Sequence, residues 1–348
     1  MTKRFLSITA PNRFAVCVVI VCLLVGCGLI QTGADTTITP NPSATAQPAP
    51  SSTPTLSSTP DPYSGLRIEE LAEQEFGGGR LEIGDWARTS PFFSQALFQY
   101  PSDGLTIHGF INTPVREGPF PVVIVLHGNV DKDDYQTLSY TARYADALAE
   151  TGFVVLHPNF RNFPPSDQGK NPFGIGYTRD VLNLIEIVRA QAGQAGPLEK
   201  ADPDSIGLFG HSMGGEIAQR IITVDREIDA ALLYSSMSGS ASDNYEVVLK
   251  WSDEASEYEE YEDAPEKVLE EISPYFYLDR IQAAVSIHHG TEDILPPEWS
   301  EELCHVLKDA GKTVECFTYN QMPHTFYGKK DQLLINHSVR FFREHLER

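Results

Sequence analysis

One stretch, "DSIGLFGHSMGGEIAQRI" at residues 204–221, constrains the fold more than any other part of the chain. An apolar, strand-like run from Ile206 to Phe209 gives way to a helix-like run from Glu216 to Ile222. Between them stands Gly210-His211-Ser212-Met213-Gly214. The pattern is G-x-S-x-G, in which a strand turns abruptly into a helix and holds the serine in a strained conformation at the carboxyl edge of a sheet. Glycine is required at the flanks because a Cβ there would meet the neighbouring strand and helix. A hydroxyl alone is a weak nucleophile, so the turn has chemical meaning only if a base and an orienting acid reach it.

The surrounding pattern supplies the sheet. Gln95 to Ser102 and Leu105 to Pro114 read as two antiparallel strands around the turn Ser102-Asp103-Gly104. Short apolar runs then alternate with amphipathic ones. Strands are expected over 121–127, 153–157, 205–210 and 230–235, and helices over 134–150, 178–192 and 214–223. After a break at about 237–278 come strand 284–289, helix 297–310, strand 313–319 and helix 332–347. Continuous apolar strands are buried on both faces, and their alternation with helices implies a mostly parallel α/β sheet with helices on either side. The break carries an acidic run, 253–271, expected as a helical cap insertion or as a solvated acidic face.

Two residues downstream of the serine stand where the chemistry needs them. Asp293 follows the strand 284–289 in "HHGTEDILPP", and His324 follows the strand 313–319 in "NQMPHTF". Each emerges at the same carboxyl edge as Ser212, in the order serine, acid, histidine. Asp279 precedes its strand and belongs to the opposite edge, whereas Glu292 is one residue out of phase. His157, His211, His288 and His289 read as packed or hydrogen-bonded residues. An oxyanion on the attacked carbonyl needs two backbone donors, each worth roughly 3–4 kcal/mol. Met213 N–H, first in the helix after the turn, is one. Asn129 N–H, in the "HGN" loop after strand 121–127, is the other. No HExxH, Walker loop or CxxC pair is present, so no metal or organic cofactor is implied.

The N-terminus reads as an address. Lys3, Arg4 and Arg13 precede the apolar run "FAVCVVIVCLLVG", residues 14–26, and the segment ends in Leu24-Val25-Gly26-Cys27. This resembles a lipoprotein signal peptide at 1–26 with Cys27 as the lipidated first residue; an uncleaved signal anchor is the alternative. Both put the rest of the chain in an extracytoplasmic location beside a membrane. Residues 27–63, rich in Thr, Pro, Ser and Ala, cannot bury enough apolar area to order and read as a spacer before a folded domain at 64–348. A net charge of −22 excludes phosphate-backbone binding, hence nucleic acid as a partner. Cys304 and Cys316 are either a disulfide or two buried thiols.

From about Leu97 to Arg348 the sequence resembles the α/β-hydrolase superfamily, most closely the prolyl oligopeptidase catalytic domain and its dienelactone-hydrolase-like relatives. The resemblance rests on "DGLTIHGFINTP", "PFPVVIVLHGN", "GFVVLHPNFR", "DPDSIGLFGHSMGG", "HHGTEDILPP" and "MPHTF". It implies the α/β-hydrolase fold, with Ser212 as nucleophile, Asp293 as orienter and His324 as base. Residues 28–96 are too short and too polar for the β-propeller that many family peptidases carry. Three readings follow: a serine peptidase acting on small peptides or amides, a carboxylesterase acting on small acyl esters, and a catalytically silent binding lipoprotein.

Overall fold

The structure, a computed structural model, describes residues 60–251 and 259–347. The apolar runs become the middle of one sheet. Its strands are β1 (Glu82–Thr89), β2 (Phe93–Ser102), β3 (Leu105–Pro114), β4 (Phe120–Leu126), β5 (Val154–Pro158), β6 (Ala201–His211), β7 (Ala230–Tyr234), β8 (Ala284–Gly290) and β9 (Val314–Tyr319). They lie in the order β1-β2-β3-β5-β4-β6-β7-β8-β9. Every pairing from β5 to β9 is parallel, and β1, β2, β3 and β5 pair antiparallel. The described helices are α1 (Ile68–Glu73), α2 (Ala142–Thr151), α3 (Ile175–Gln191), α4 (Met213–Val224), α5 (Ala241–Trp251), α6 (Glu259–Asp263), α7 (Glu266–Glu271), α8 (Pro297–Asp309) and α9 (Gly328–Leu346).

Strand periodicity divides the core into two layers. Val122, Ile124 and Leu126 of β4 join Leu208 and Leu233 against Ile217 and Ile221 of α4 and Val181 of α3. Val123 and Val125 join Phe209 and Leu232 against Leu148 of α2 and Phe341 and Phe342 of α9. A strand covered on both faces has no polar side to show, which is why β4 reads as an unbroken apolar run. The β2–β3 hairpin pairs Ser102 with Leu105 across Asp103 and Gly104, both at positive φ, as a two-residue Asp-Gly turn requires. This is the mostly parallel, helix-flanked sheet that the sequence implies.

Three elements differ from expectation. The helix read over 134–150 begins only at Ala142. Tyr140 takes a φ of 57°, and the preceding loop turns its rings inward, with Tyr135 donating to Asn159 Oδ1 at 3.0 Å. The apolar spacing there serves a packed loop. Strand β1 carries no buried residue, so it is held by edge pairing with β2 and leaves no alternating pattern to read. Helix α1 buries only Ile68 and Leu71, too few for a periodic signal.

The break at 237–278 holds α5, α6, α7 and a 3₁₀ segment, Pro274–Arg280. Of the acidic run, 253–258 lies outside the described residues. Several later acids are engaged within the protein. Glu260 accepts the Phe173 N–H, Glu262 the Tyr245 hydroxyl and Glu271 the Arg67 Nε–H. The expected signal segment, Cys27 and the spacer up to residue 59 also lie outside the described residues. No described helix is long and apolar enough to cross a membrane.

Cys304 of α8 and Cys316 of β9 form a disulfide, which decides between the two alternatives left by the sequence. The bond ties the helix that follows Asp293 to the strand that precedes His324. For a closed loop of this size, Cys316→Ser should cost about 2–3 kcal/mol of stability. Urea unfolding of both proteins, with and without reductant, checks this: reductant should lower the wild type to the level of the variant and leave the variant unchanged.

Candidate active site

The turn after β6 is built as its glycines predict. A Cβ on Gly210 would run into the Gly214 carbonyl, and one on Gly214 into the Leu126 and His127 carbonyls of the neighbouring strand end. Backbone cannot yield as a side chain can, so Gly214→Ala should destabilise by at least about 2 kcal/mol and displace the serine. A lowered denaturation midpoint together with lost activity checks it. Between these glycines Ser212 sits at φ 57°, ψ −119°, a conformation that costs roughly 1–3 kcal/mol. The surroundings fix it there. Ser212 N–H donates to Tyr234 O at 3.0 Å, and its carbonyl accepts from Gly215, Glu216 and Met237 N–H.

The three predicted side chains meet. His324 Nε2 lies 2.9 Å from Ser212 Oγ, and His324 Nδ1 lies 2.8 Å from Asp293 Oδ1. Asp293 is wholly buried at its side chain, while His324 keeps 20% exposure, so the carboxylate is shielded from water and the imidazole is not. Asp293 Oδ1 also accepts Leu295 N–H at 2.9 Å. Burial pushes the Asp293 carboxyl up, but the adjacent His324 and the donors around it more than offset this and hold it below the ordinary carboxylate range. Asp293 therefore stays ionised where it can keep the Nδ1 proton of His324 in place and leave Nε2 free to accept from Ser212. Glu292 is exposed, and Asp279 lies in the 3₁₀ segment before β8. Neither joins the group.

His211, expected to be packed or hydrogen-bonded, and two tyrosines that the sequence reading left out hold the His324 loop. His211 Nε2 lies 3.0 Å from the His324 carbonyl, which can only accept, so that nitrogen carries the proton. Its Nδ1 then accepts from the Tyr140 hydroxyl at 2.5 Å. Phe326 N–H donates to the Tyr234 hydroxyl at 2.5 Å. The His324 loop is thereby tied at the histidine's own carbonyl and two residues beyond it. Nothing in the sequence marks Tyr140, because it lies in the stretch that reads as helix.

The expected oxyanion donors flank the serine. A Cβ on Gly128 would stand 2.9 Å from Ser212 Cβ, which brings the Gly128-Asn129 loop against Ser212, and Asn129 itself is exposed. Met213 begins α4. Among the described residues no backbone acceptor takes the N–H of either residue. No group of three or more His, Cys, Asp or Glu among the described residues is placed to hold a metal ion.

Buried histidines around the site set an acid limit. Burial lowers His127 to about 4 and His157 and His211 to about 3, from 6.5. The folded protein keeps them neutral, whereas the unfolded chain takes up their protons below pH 6.5. Their contribution to stability is thus complete above that pH and lost progressively from about pH 6 towards pH 3. Chemical denaturation across this range should show a falling unfolding free energy, and His157→Gln should flatten the slope by about one proton.

Comparison with known proteins identifies the family and the fold. The family model described as "Dienelactone hydrolase family" matches residues 107–341. A Synechocystis protein described as "Putative carboxymethylenebutenolidase" is 23% identical over 240 residues, covering 66% of this chain and 85% of its own. The acylaminoacyl peptidase of Pyrococcus horikoshii superposes with a TM-score of 0.58 at 22% identity, covering 74% of this chain but only 42% of the peptidase. Acetyl xylan esterase 1 from Thermoanaerobacterium sp. JW/SL YS485 superposes with a TM-score of 0.56 at 17% identity, covering 80% of this chain and 93% of the esterase. At these identities the structural likeness is one of fold, and both neighbours are α/β hydrolases.

Proposed function

Because the chain belongs to the dienelactone hydrolase family, we propose that it hydrolyses small carboxylic esters and lactones by acyl transfer, with Ser212, His324 and Asp293 as a catalytic triad. The observation that carries this is the unbroken chain Ser212 Oγ, His324 Nε2, His324 Nδ1, Asp293 Oδ1, held at 2.9 and 2.8 Å on a strained turn. In the first step His324 Nε2 takes the Ser212 proton as Oγ bonds to the substrate carbonyl carbon, and the carbonyl oxygen becomes an oxyanion facing the Met213 and Asn129 N–H groups. Collapse breaks the bond to the leaving oxygen, which receives the proton from His324. Water, deprotonated by His324, then attacks the acyl-enzyme and restores Ser212 with release of the acid.

Esters stand ahead of amides because the alignment spans nearly the whole of an esterase, 93%, and under half of a peptidase, 42%. Hydrolysis of short peptide or amide bonds uses the same triad and is the second reading. Comparing kcat/KM for 4-nitrophenyl acetate with that for an N-acylaminoacyl 4-nitroanilide tests the order. Faster ester turnover is expected; faster anilide turnover would reverse it, and turnover of neither would favour a silent binding role.

The address read at the N-terminus is part of the same proposal: Cys27 is lipidated and holds the domain at the membrane outside the cytoplasm. The Cys304–Cys316 disulfide supports an oxidising compartment. Cys27→Ser should move the expressed protein from the membrane fraction to the soluble fraction.

A further inference from the structure

We propose that a cavity beside the nucleophile turn, walled by Asp243, Glu302, Gln219, Tyr275 and Trp299, is a substrate subsite for an alkylammonium group. The inference rests on the serine hydrolase reading above and adds to it the class of substrate. The cavity has a volume of about 250 Å³, slightly below the roughly 300 Å³ at which drug-sized sites begin, so it fits one substituent of a substrate. It adjoins the Ser212 turn through Met237, a lining residue whose N–H donates to the Ser212 backbone carbonyl at 3.1 Å.

The hydrogen-bond inventory of the wall decides what it accepts. The Ser236 hydroxyl donates to Met237 O, that of Ser238 to Asp243 Oδ2 and that of Tyr275 to Glu302 Oε1. Gln219 Nε2 donates to Ser236 Oγ and Met237 O. These donors are therefore already committed. Beside the Ser240 hydroxyl and the Trp299 indole N–H, what remains unspent is acceptor capacity, and it carries the charge: further lone pairs on the Asp243 and Glu302 carboxylates, and Gln219 Oε1. Gln219 is 2% exposed, and its Oε1 has no donor among the described residues. No Lys, Arg or His lines the cavity. A wall of acceptors and carboxylates without a cation calls for a ligand that brings N–H donors and positive charge. Tyr275 and Trp299 also line it, and aromatic rings attract a cation that lies over a face.

Neither acid belongs to the run 253–271, so the feature is distinct from the charge density legible in the sequence. They come from separate elements, α5 and α8, and only the fold brings them to one cavity.

The test compares substrate pairs that differ in one charge. These are the 4-nitrophenyl esters of N-acetyl-lysine and N-acetyl-norleucine for the acyl side, and acetylcholine and 3,3-dimethylbutyl acetate for the alcohol side. In at least one pair the charged member should have a kcat/KM roughly tenfold or more higher. Asp243→Asn with Glu302→Gln should bring that ratio to near one by lowering kcat/KM of the charged member. A ratio near one in both pairs, or a preference that survives the double variant, overturns the proposal. Calorimetric titration with butylammonium chloride separates this from failure of the nucleophile, because it can be done on the Ser212→Ala protein. Binding that the double variant loses is expected there. If no ester is turned over, the reading of Ser212 fails, and absence of butylammonium binding would then overturn the subsite as well.

Discussion

Ser212→Ala is expected to lower kcat on an activated ester by roughly 10⁴- to 10⁶-fold while leaving the fold intact. The size of the effect follows from what is removed. The hydroxyl accounts for little packing, since it lies at a turn held by backbone bonds to Tyr234 O and from Gly215, Glu216 and Met237 N–H, and alanine preserves all four. In the proposed mechanism, however, it is the atom that forms the covalent intermediate. The residual rate should reflect the oxyanion donors and binding alone. Steady-state kinetics together with circular dichroism checks both halves, and an undiminished rate in a folded variant would remove Ser212 from the mechanism.

Asp293→Asn is expected to lower kcat by roughly 10⁴-fold near neutral pH, with a much smaller change in KM. The carboxylate is wholly buried and holds the His324 Nδ1–H at 2.8 Å. An amide of the same shape can turn its NH₂ to that nitrogen, which forces the proton onto Nε2, where it can no longer accept from Ser212. The loss therefore lies in the chemical step. Glu292→Gln is the control: Glu292 is exposed, so its rate should stay within about twofold of wild type. A large loss at Glu292 with little at Asp293 would exchange their roles.

The Ser212, Asp293 and His324 constellation was readable because each residue follows a strand of the parallel sheet. The buried strands before Ser212 and Asp293 announce themselves as apolar runs, β9 before His324 is mostly half-buried and reads from its place in the alternation, and the carboxyl edge is fixed by chain direction. The fold class was readable for the same reason. The start of α2 was not, because the apolar spacing before Ala142 serves a loop whose Tyr140 reaches His211, a contact between residues far apart in the chain. Strand β1 stayed hidden because edge pairing requires no burial pattern. Pairing of Cys304 with Cys316 needed a distance, which composition does not contain. Asp243 and Glu302 look like ordinary surface acids on their own helices. Their meaning appears only when α5 and α8 wall one cavity with Gln219 beneath.

The most direct measurement is reaction of the purified protein with a fluorophosphonate, followed by intact mass and peptide mapping. One adduct per chain, located on Ser212 and absent in Ser212→Ala, is the predicted result. No adduct in a folded protein, or an adduct that persists in the variant, would contradict the account.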